Sequence, residues 1–214
     1  MTTASPRPRW WLARQALAVT VLSVAGCGQD AKEAPPDQEM DRVVGQAPAA
    51  VDGVPSVILF EPAGVKGGTP TREPVVMDQV GMAFDPLVLV VPPGQTVTFR
   101  NSENVSHNVQ VRRMATDSVL FNVSTDSGSS YEHVLDEAGG YDVICNIHPS
   151  MWASIIVDGA PYHTVARSDG SFVLEDLPPG PYTVRVWSKD ASLRSEHRVD
   201  VARGRTELAL GGGA

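Results

Sequence analysis

Tyr141-Asp142-Val143-Ile144-Cys145-Asn146-Ile147-His148-Pro149-Ser150-Met151 decides how this chain is read. Gly139-Gly140 turns into a short strand, Tyr141 to Cys145, and the strand gives way to a loop. A thiol, an imidazole and a thioether therefore lie within seven residues, just past a strand end. One short loop can place all three donors around a single point.

The segments on either side are strands as well. Val75-Val76-Met77 comes first, then Leu87 to Val91, stopped by the turn signal Pro92-Pro93-Gly94. Gln95 to Arg100 and Val109 to Arg112 alternate polar and apolar residues, the period of a half-buried strand. Val119 to Val123 and Ser130 to Val134 continue the pattern, and Ala153 to Val157 closes it. Short strands at this spacing, in a chain rich in Gly and Pro, predict an all-β antiparallel sandwich with no helix after residue 27.

His107 lies well upstream, at the end of the loop that follows the Thr96–Arg100 strand. Two histidines and a cysteine in a trigonal set, with a weak axial methionine, define a blue-copper site. Asn101-Ser102-Glu103-Asn104-Val105-Ser106-His107-Asn108-Val109 followed by Tyr141 to Met151 resembles the plastocyanin and amicyanin group of cupredoxins. The two-residue gaps from Cys to His and from His to Met are most like amicyanin. The resemblance spans residues 73–158 and includes the strand entry Pro92 to Val97. It implies a Greek-key β-sandwich, one copper ion and single-electron transfer. It also implies His107, Cys145 and His148 as strong ligands, Met151 as the axial one, and Asn108 as the residue tying the two ligand loops together. In similar proteins the imidazole of the downstream histidine reaches the surface inside an apolar patch. Pro149 and Trp152 suit such a patch, so electrons are expected to pass through His148, with His107 buried. For Trp152 a place in the sandwich core is an equally good reading.

His133, His163 and His197 stand in polar contexts and are expected to face solvent rather than bind metal. Met77, Met82 and Met114 are dispersed, which favours core filling over a thioether cluster.

The N-terminus has the layout of an export signal: Arg7, Arg9 and Arg14, an apolar run, then Leu22-Ser23-Val24-Ala25-Gly26-Cys27. The apolar run is shorter than the roughly 20 residues that span a bilayer. Its ending resembles a bacterial lipobox, implying acylation of Cys27 and a lipid anchor in the cell envelope. An ordinary signal peptide with an incidental cysteine is the alternative. Cleavage before Cys27 leaves 14 basic against 25 acidic residues, a net charge of −11. Such a surface excludes a nucleic-acid partner and suits a basic one. With Cys27 acylated, Cys145 has no thiol to pair with, and an unpaired exported thiol is best protected by a metal. Residues 28–50, rich in Ala, Pro and acids, read as a disordered tether.

Beyond Asp158-Gly159 a second β unit is expected over residues 159–214, with strands at Tyr162–Arg167, Ser171–Leu174, Tyr182–Trp187, Glu196–Val201 and Arg205–Leu210. Ser168-Asp169-Gly170 reads as a hairpin turn and Leu177 to Gly180 as a rigid bend. Arg167 to Val186 resembles part of a carboxypeptidase regulatory-like (transthyretin-like) β-sandwich. So short a unit is marginal alone. Either it packs on the copper domain, or it borrows the Val57-Ile58-Leu59-Phe60 strand from residues 51–72, which makes the cupredoxin an insertion.

An oxidase or nitrite reductase needs a second copper cluster, and five histidines without a His-x-His pair cannot build one. A copper store or chaperone would prefer exchangeable Met/His clusters, and an envelope binding module would use the C-terminal unit. The leading expectation is a non-enzymatic electron carrier working with an unidentified redox protein such as a cytochrome or dehydrogenase.

Overall fold

A computed structural model describes residues 41–65 and 67–211. Its sixteen strands are β1 Arg42–Gln46, β2 Val57–Pro62, β3 Val75–Val80, β4 Ala83–Asp85, β5 Val88–Val91, β6 Gln95–Asn101, β7 His107–Arg113, β8 Ser118–Thr125, β9 Ser130–Leu135, β10 Gly139–Ile144, β11 Trp152–Val157, β12 Tyr162–Val165, β13 Ser171–Glu175, β14 Gly180–Trp187, β15 Ser195–Val201 and β16 Arg205–Ala209. Among the described residues the one helical turn is the 3₁₀ turn Ala191–Leu193. The expected strands are present, and two are added: β1, and the three-residue β4, too short to show a period.

Two sandwiches result. In the first, a sheet ordered β4-β3-β6-β9 faces one ordered β5-β11-β10-β7-β8. Their inner faces close over a core that includes Met77, Phe99, Val111, Tyr141, Cys145, Met151 and Ile155. In the second, β13-β1-β16 faces β12-β2-β14-β15 around Val43, Ile58, Phe60, Phe172, Tyr182 and Val184. Each sandwich has a tyrosine whose hydroxyl bonds a carbonyl four residues back: Tyr141 to Glu137 and Tyr182 to Pro178. That bond fixes the corner where the chain enters β10 and β14.

The second sandwich thus takes strands from both sides of the first, which is inserted between β2 and β12. β2 pairs with β12 and β14 in this sandwich, and its other face packs against β11. The disordered tether expected over residues 28–50 is corrected at its end. β1 pairs with β13 on one side and β16 on the other, and Val43 is fully buried. Composition could not show this, because the partners that bury Val43 lie more than a hundred residues away. Residues 28–40, the leader and Cys27 lie outside the described residues.

The Ser168-Asp169-Gly170 hairpin is also corrected. The turn is made, with Arg167 N–H on Ser171 O and Gly170 N–H on Arg167 O. The strands it joins, however, belong to different sheets, so it is a corner.

The sandwiches meet at β11 and β2. Ala153, Ile155 and Val157 face the first core, while Trp152 and Ile156 face a separate cluster with Val54, Val57, Leu59, Val88 and Trp187. Both strands are buried on two faces, which is why each reads as a nearly unbroken apolar run. Arg185 of β14 crosses the junction to grip Asp158 through two bonds of 2.8 Å.

Strand directions place the chain's entry. β1 starts at Arg42, beside Glu175 and Arg205, and ends at Gln46. The connection to β2 then brings Gly53 onto the ring of Trp152, directly after Met151. The Gln46–Val57 end of the second sandwich is therefore level with the Cys145–Met151 loop. Asp41 and Arg42 lie a strand length away, about 15 Å at the usual rise, toward the opposite pole.

Candidate metal centre

Cys145 is the first residue beyond β10, and His107 is the first residue of β7, the neighbouring strand. Adjacent strands thus carry the thiol and the upstream imidazole to one end of the sandwich. The loop from Cys145 is closed by its own backbone: Met151 N–H bonds His148 O at 2.9 Å, and Cys145 N–H bonds Met151 O at 3.1 Å. These two bonds bring His148 back toward Cys145 and tuck Met151 into the core beside it.

Three donor atoms converge. His107 Nδ1 lies 2.9 Å from His148 Nδ1, and each is 3.9 Å from Cys145 Sγ. Among the described residues this is the one group of three or more His, Cys, Asp or Glu side chains placed to hold a metal ion. At such separations the two imidazoles and the thiol would hold one ion together. His107 and Cys145 are buried, Met151 is buried in the same core, and His148 is partly exposed.

Glu103 completes the upstream ligand. Its Oε2 accepts the Nε2–H of His107 at 2.7 Å and its Oε1 accepts the Met82 N–H at 2.7 Å. The Met82 amide, with the His107 imidazole, holds the Glu103 carboxyl below its ordinary range. With its proton committed to Glu103, the imidazole keeps the lone pair on Nδ1, which faces the thiol.

Asn108 ties the loops. Its Oδ1 accepts the backbone N–H groups of Asn146 at 2.7 Å and Ile147 at 3.2 Å, and lies 3.4 Å from Cys145 Sγ. Its Nδ2 donates to Asn122 Oδ1 at 2.8 Å, and Asn146 Nδ2 donates to Gln110 Oε1 at 2.8 Å. Gln79 supports the same strand, donating to Asn108 O at 3.3 Å while accepting the Thr125 hydroxyl at 2.6 Å. The buried amides of Gln79, Asn108 and Gln110 thus each have a partner, with exposed Asn122 and Asn146 completing the network.

The copper-binding protein model of the plastocyanin/azurin family matches residues 73–158. Amicyanin of Paracoccus denitrificans is 31% identical over 106 residues, covering 49% of this chain and 77% of that protein. The chain belongs to this cupredoxin family. Among solved structures, a purple cupredoxin from Nitrosopumilus maritimus is 29% identical, covering 39% of this chain and 99% of its own, with a TM-score of 0.36. A reduced amicyanin variant is 26% identical, covering 47% and 99%, with a TM-score of 0.38.

One copper is the cofactor of this family, and the donor set here, two imidazole nitrogens, a thiol and a neighbouring thioether, is the set that suits it. The protein is a cupredoxin of the electron-transfer kind. Other expected residues fall as follows. Pro149 is exposed on the ligand loop. Trp152 is half-buried, but strand alternation turns it away from the metal side and onto Gly53, so the docking patch expected to contain it does not. The apolar rim of the metal end is instead Met82, Val105, Ile147 and Pro149, all exposed. His163 faces solvent, whereas His133 is part of an aromatic cluster with Phe121 and Tyr131 and His197 bonds Ser195. Met77 fills the core and Met114 packs at the junction, while Met82 is exposed. Sequence reasoning missed Glu103, Gln110 and Asn122. Glu103 stands four residues before His107, inside the loop that carried the resemblance.

Proposed function

We propose that this cupredoxin is a one-electron carrier outside the cytoplasm. It is held at a bacterial membrane by lipid on Cys27, and it exchanges electrons with a separate redox protein through the edge of His148. The bound copper supplies the one-electron couple. The observation that carries the reading is the asymmetry of the two histidines: His107 is sealed and bonded to Glu103, whereas His148 is partly exposed between the exposed residues Ile147 and Pro149. Met151 serves as the axial donor from within the core.

Several features support the rest. The lipobox-like sequence precedes a body that is entered at Asp41, at the pole away from the ligand loop. The acidic excess orients a basic partner before the apolar rim makes contact. Cytochromes and dehydrogenases are partners of the right class.

The test is Pro149→Glu in the soluble protein lacking residues 1–27. Electron exchange with a basic c-type cytochrome should slow while the visible band stays in place. Unchanged rates across ionic strengths would refute the His148 route. For the anchor, Cys27→Ser should move the protein from the membrane fraction to the soluble one. Retention in the membrane fraction would point to another anchor.

A further inference from the structure

We propose that the second sandwich holds the axial donor in place: the turn Val51–Val54 seats Gly53 on the indole of Trp152 and thereby positions Met151. This rests on the copper reading above.

Trp152 follows Met151 in the chain and opens β11, where it faces Ile144. Met151 is bonded at both of its backbone groups, to His148 O and from Cys145 N–H. A shift of Trp152 is therefore carried into the Met151 carbonyl and the Cys145 amide. Nothing on the metal side restrains the indole, which lies on the opposite face of the sheet. Its restraint comes from the turn and from the junction cluster it packs on. Val51 and Val54 exchange two backbone bonds, 3.0 and 2.9 Å, and Val54 is buried in the junction with Leu59, Ile156 and Trp187. Between them Asp52 and Gly53 take positive φ values of 49° and 80°. A Cβ on Gly53 would stand 3.0 and 3.1 Å from two indole carbons, closer than ordinary contact. A glycine is thus needed twice, for the backbone and for the close approach. The turn belongs to the second sandwich, so that sandwich acts on the metal loop without supplying a ligand. Gly53 and Trp152 are positioning residues.

The experiment uses the soluble protein lacking residues 1–27. Gly53→Val should displace the indole, loosen Met151 and raise the reduction potential, in the direction that removing the thioether takes it. In a Met151→Leu background the same substitution should leave the potential unmoved, because the donor it acts on is gone. Trp152→Phe, a gentler change, should give a smaller shift of the same sign. A metal-free readout comes from Trp187→Phe, which leaves Trp152 as the one tryptophan outside the leader. Its emission should shift when Gly53→Val is added. Potentials that stay put in the single variants, or that shift equally in the Met151→Leu background, overturn the proposal. A wild-type protein that stays colourless with Cu(II) overturns the copper reading and this proposal with it. A blue wild type whose variants keep its potential overturns the positioning role alone.

Discussion

The Glu103 carboxylate accepts the Nε2–H of the buried His107 imidazole at 2.7 Å, and this bond decides which ring nitrogen is free to take a metal. Without it the ring could place its proton on Nδ1, facing Cys145, and the site would have to expel that proton before binding. Glu103→Ala should weaken copper affinity about 10- to 100-fold, the range typical of lost ligand-orienting partners. Glu103→Gln keeps an acceptor for His107 but cannot also accept the Met82 N–H without turning its amide, so an intermediate loss is expected. Competition against a chelator of known affinity measures both. Equal affinities in all three proteins would refute the role.

Cys145→Ser removes the soft donor at the centre of the set. The variant should fold, since serine is slightly smaller at a buried position. It should lose the intense visible band, which arises from the thiolate. Met151→Leu should instead keep the band and raise the potential, because only the weak axial contact is lost. Absorption spectra and redox titration of the two proteins distinguish these outcomes.

The ligand set was legible because three of its four members lie in one short loop, and the strand pattern placed that loop at the end of a sandwich. Glu103 was harder. A lone carboxylate in a polar loop carries no period, and its role depends on the fold turning the loop so that residue 103 reaches the far side of the residue 107 ring. Gln110 and Asn122 were hidden for a related reason: on alternating strands they look like ordinary polar positions. In the second sandwich, β2 was legible as an apolar run, whereas β1 was not. Val43 and Val44 are two apolar residues in a polar context, and their burial depends on β13 and β16. Trp152 stood one residue before the expected Ala153–Val157 strand, and β11 begins with it. Its facing followed only once a second sandwich was known to cover the outer side of β11.

That covered face has an energetic consequence. Ile156 is buried on the junction side of β11, against Leu59 and Trp187. Ile156→Ala should cost about 2–5 kcal/mol, and the loss should appear in one cooperative transition involving both sandwiches. Arg185→Met removes the paired bonds to Asp158 at a partly exposed position, with an expected cost of about 1 kcal/mol. Residues 73–158 expressed alone would expose Val88, Ile156 and Trp152, and should melt at a lower temperature than the whole protein. Calorimetry tests all three. Two separate transitions in the intact chain would show that the junction does not couple the sandwiches.

Asp142 gives that junction a pH dependence. It lies on β10 in a cleft of about 310 Å³ lined also by Asp52, Arg112, Ile144, Trp152, Ala153 and Lys189. Burial pushes its carboxyl above the ordinary range, and the attraction of Lys189 and Arg112 only partly offsets this. A carboxyl raised in the folded state holds its proton more tightly there than in the unfolded chain, whose value is about 3.9. Between that value and the higher folded one, the folded protein binds more protons. Stability from this group therefore falls as pH rises through the window and stays low above it. Asp142→Asn has no charge to desolvate, so its stability relative to the wild type should be more favourable at pH 7 than at pH 3. Taking the difference between the two proteins cancels the other carboxylates. Lys189→Met should exaggerate the wild-type fall by removing the leading compensating charge. Denaturant titrations of the three metal-free proteins at both pH values measure the effect. A wild-type advantage that grows toward pH 7 would show that the cations of the cleft outweigh burial.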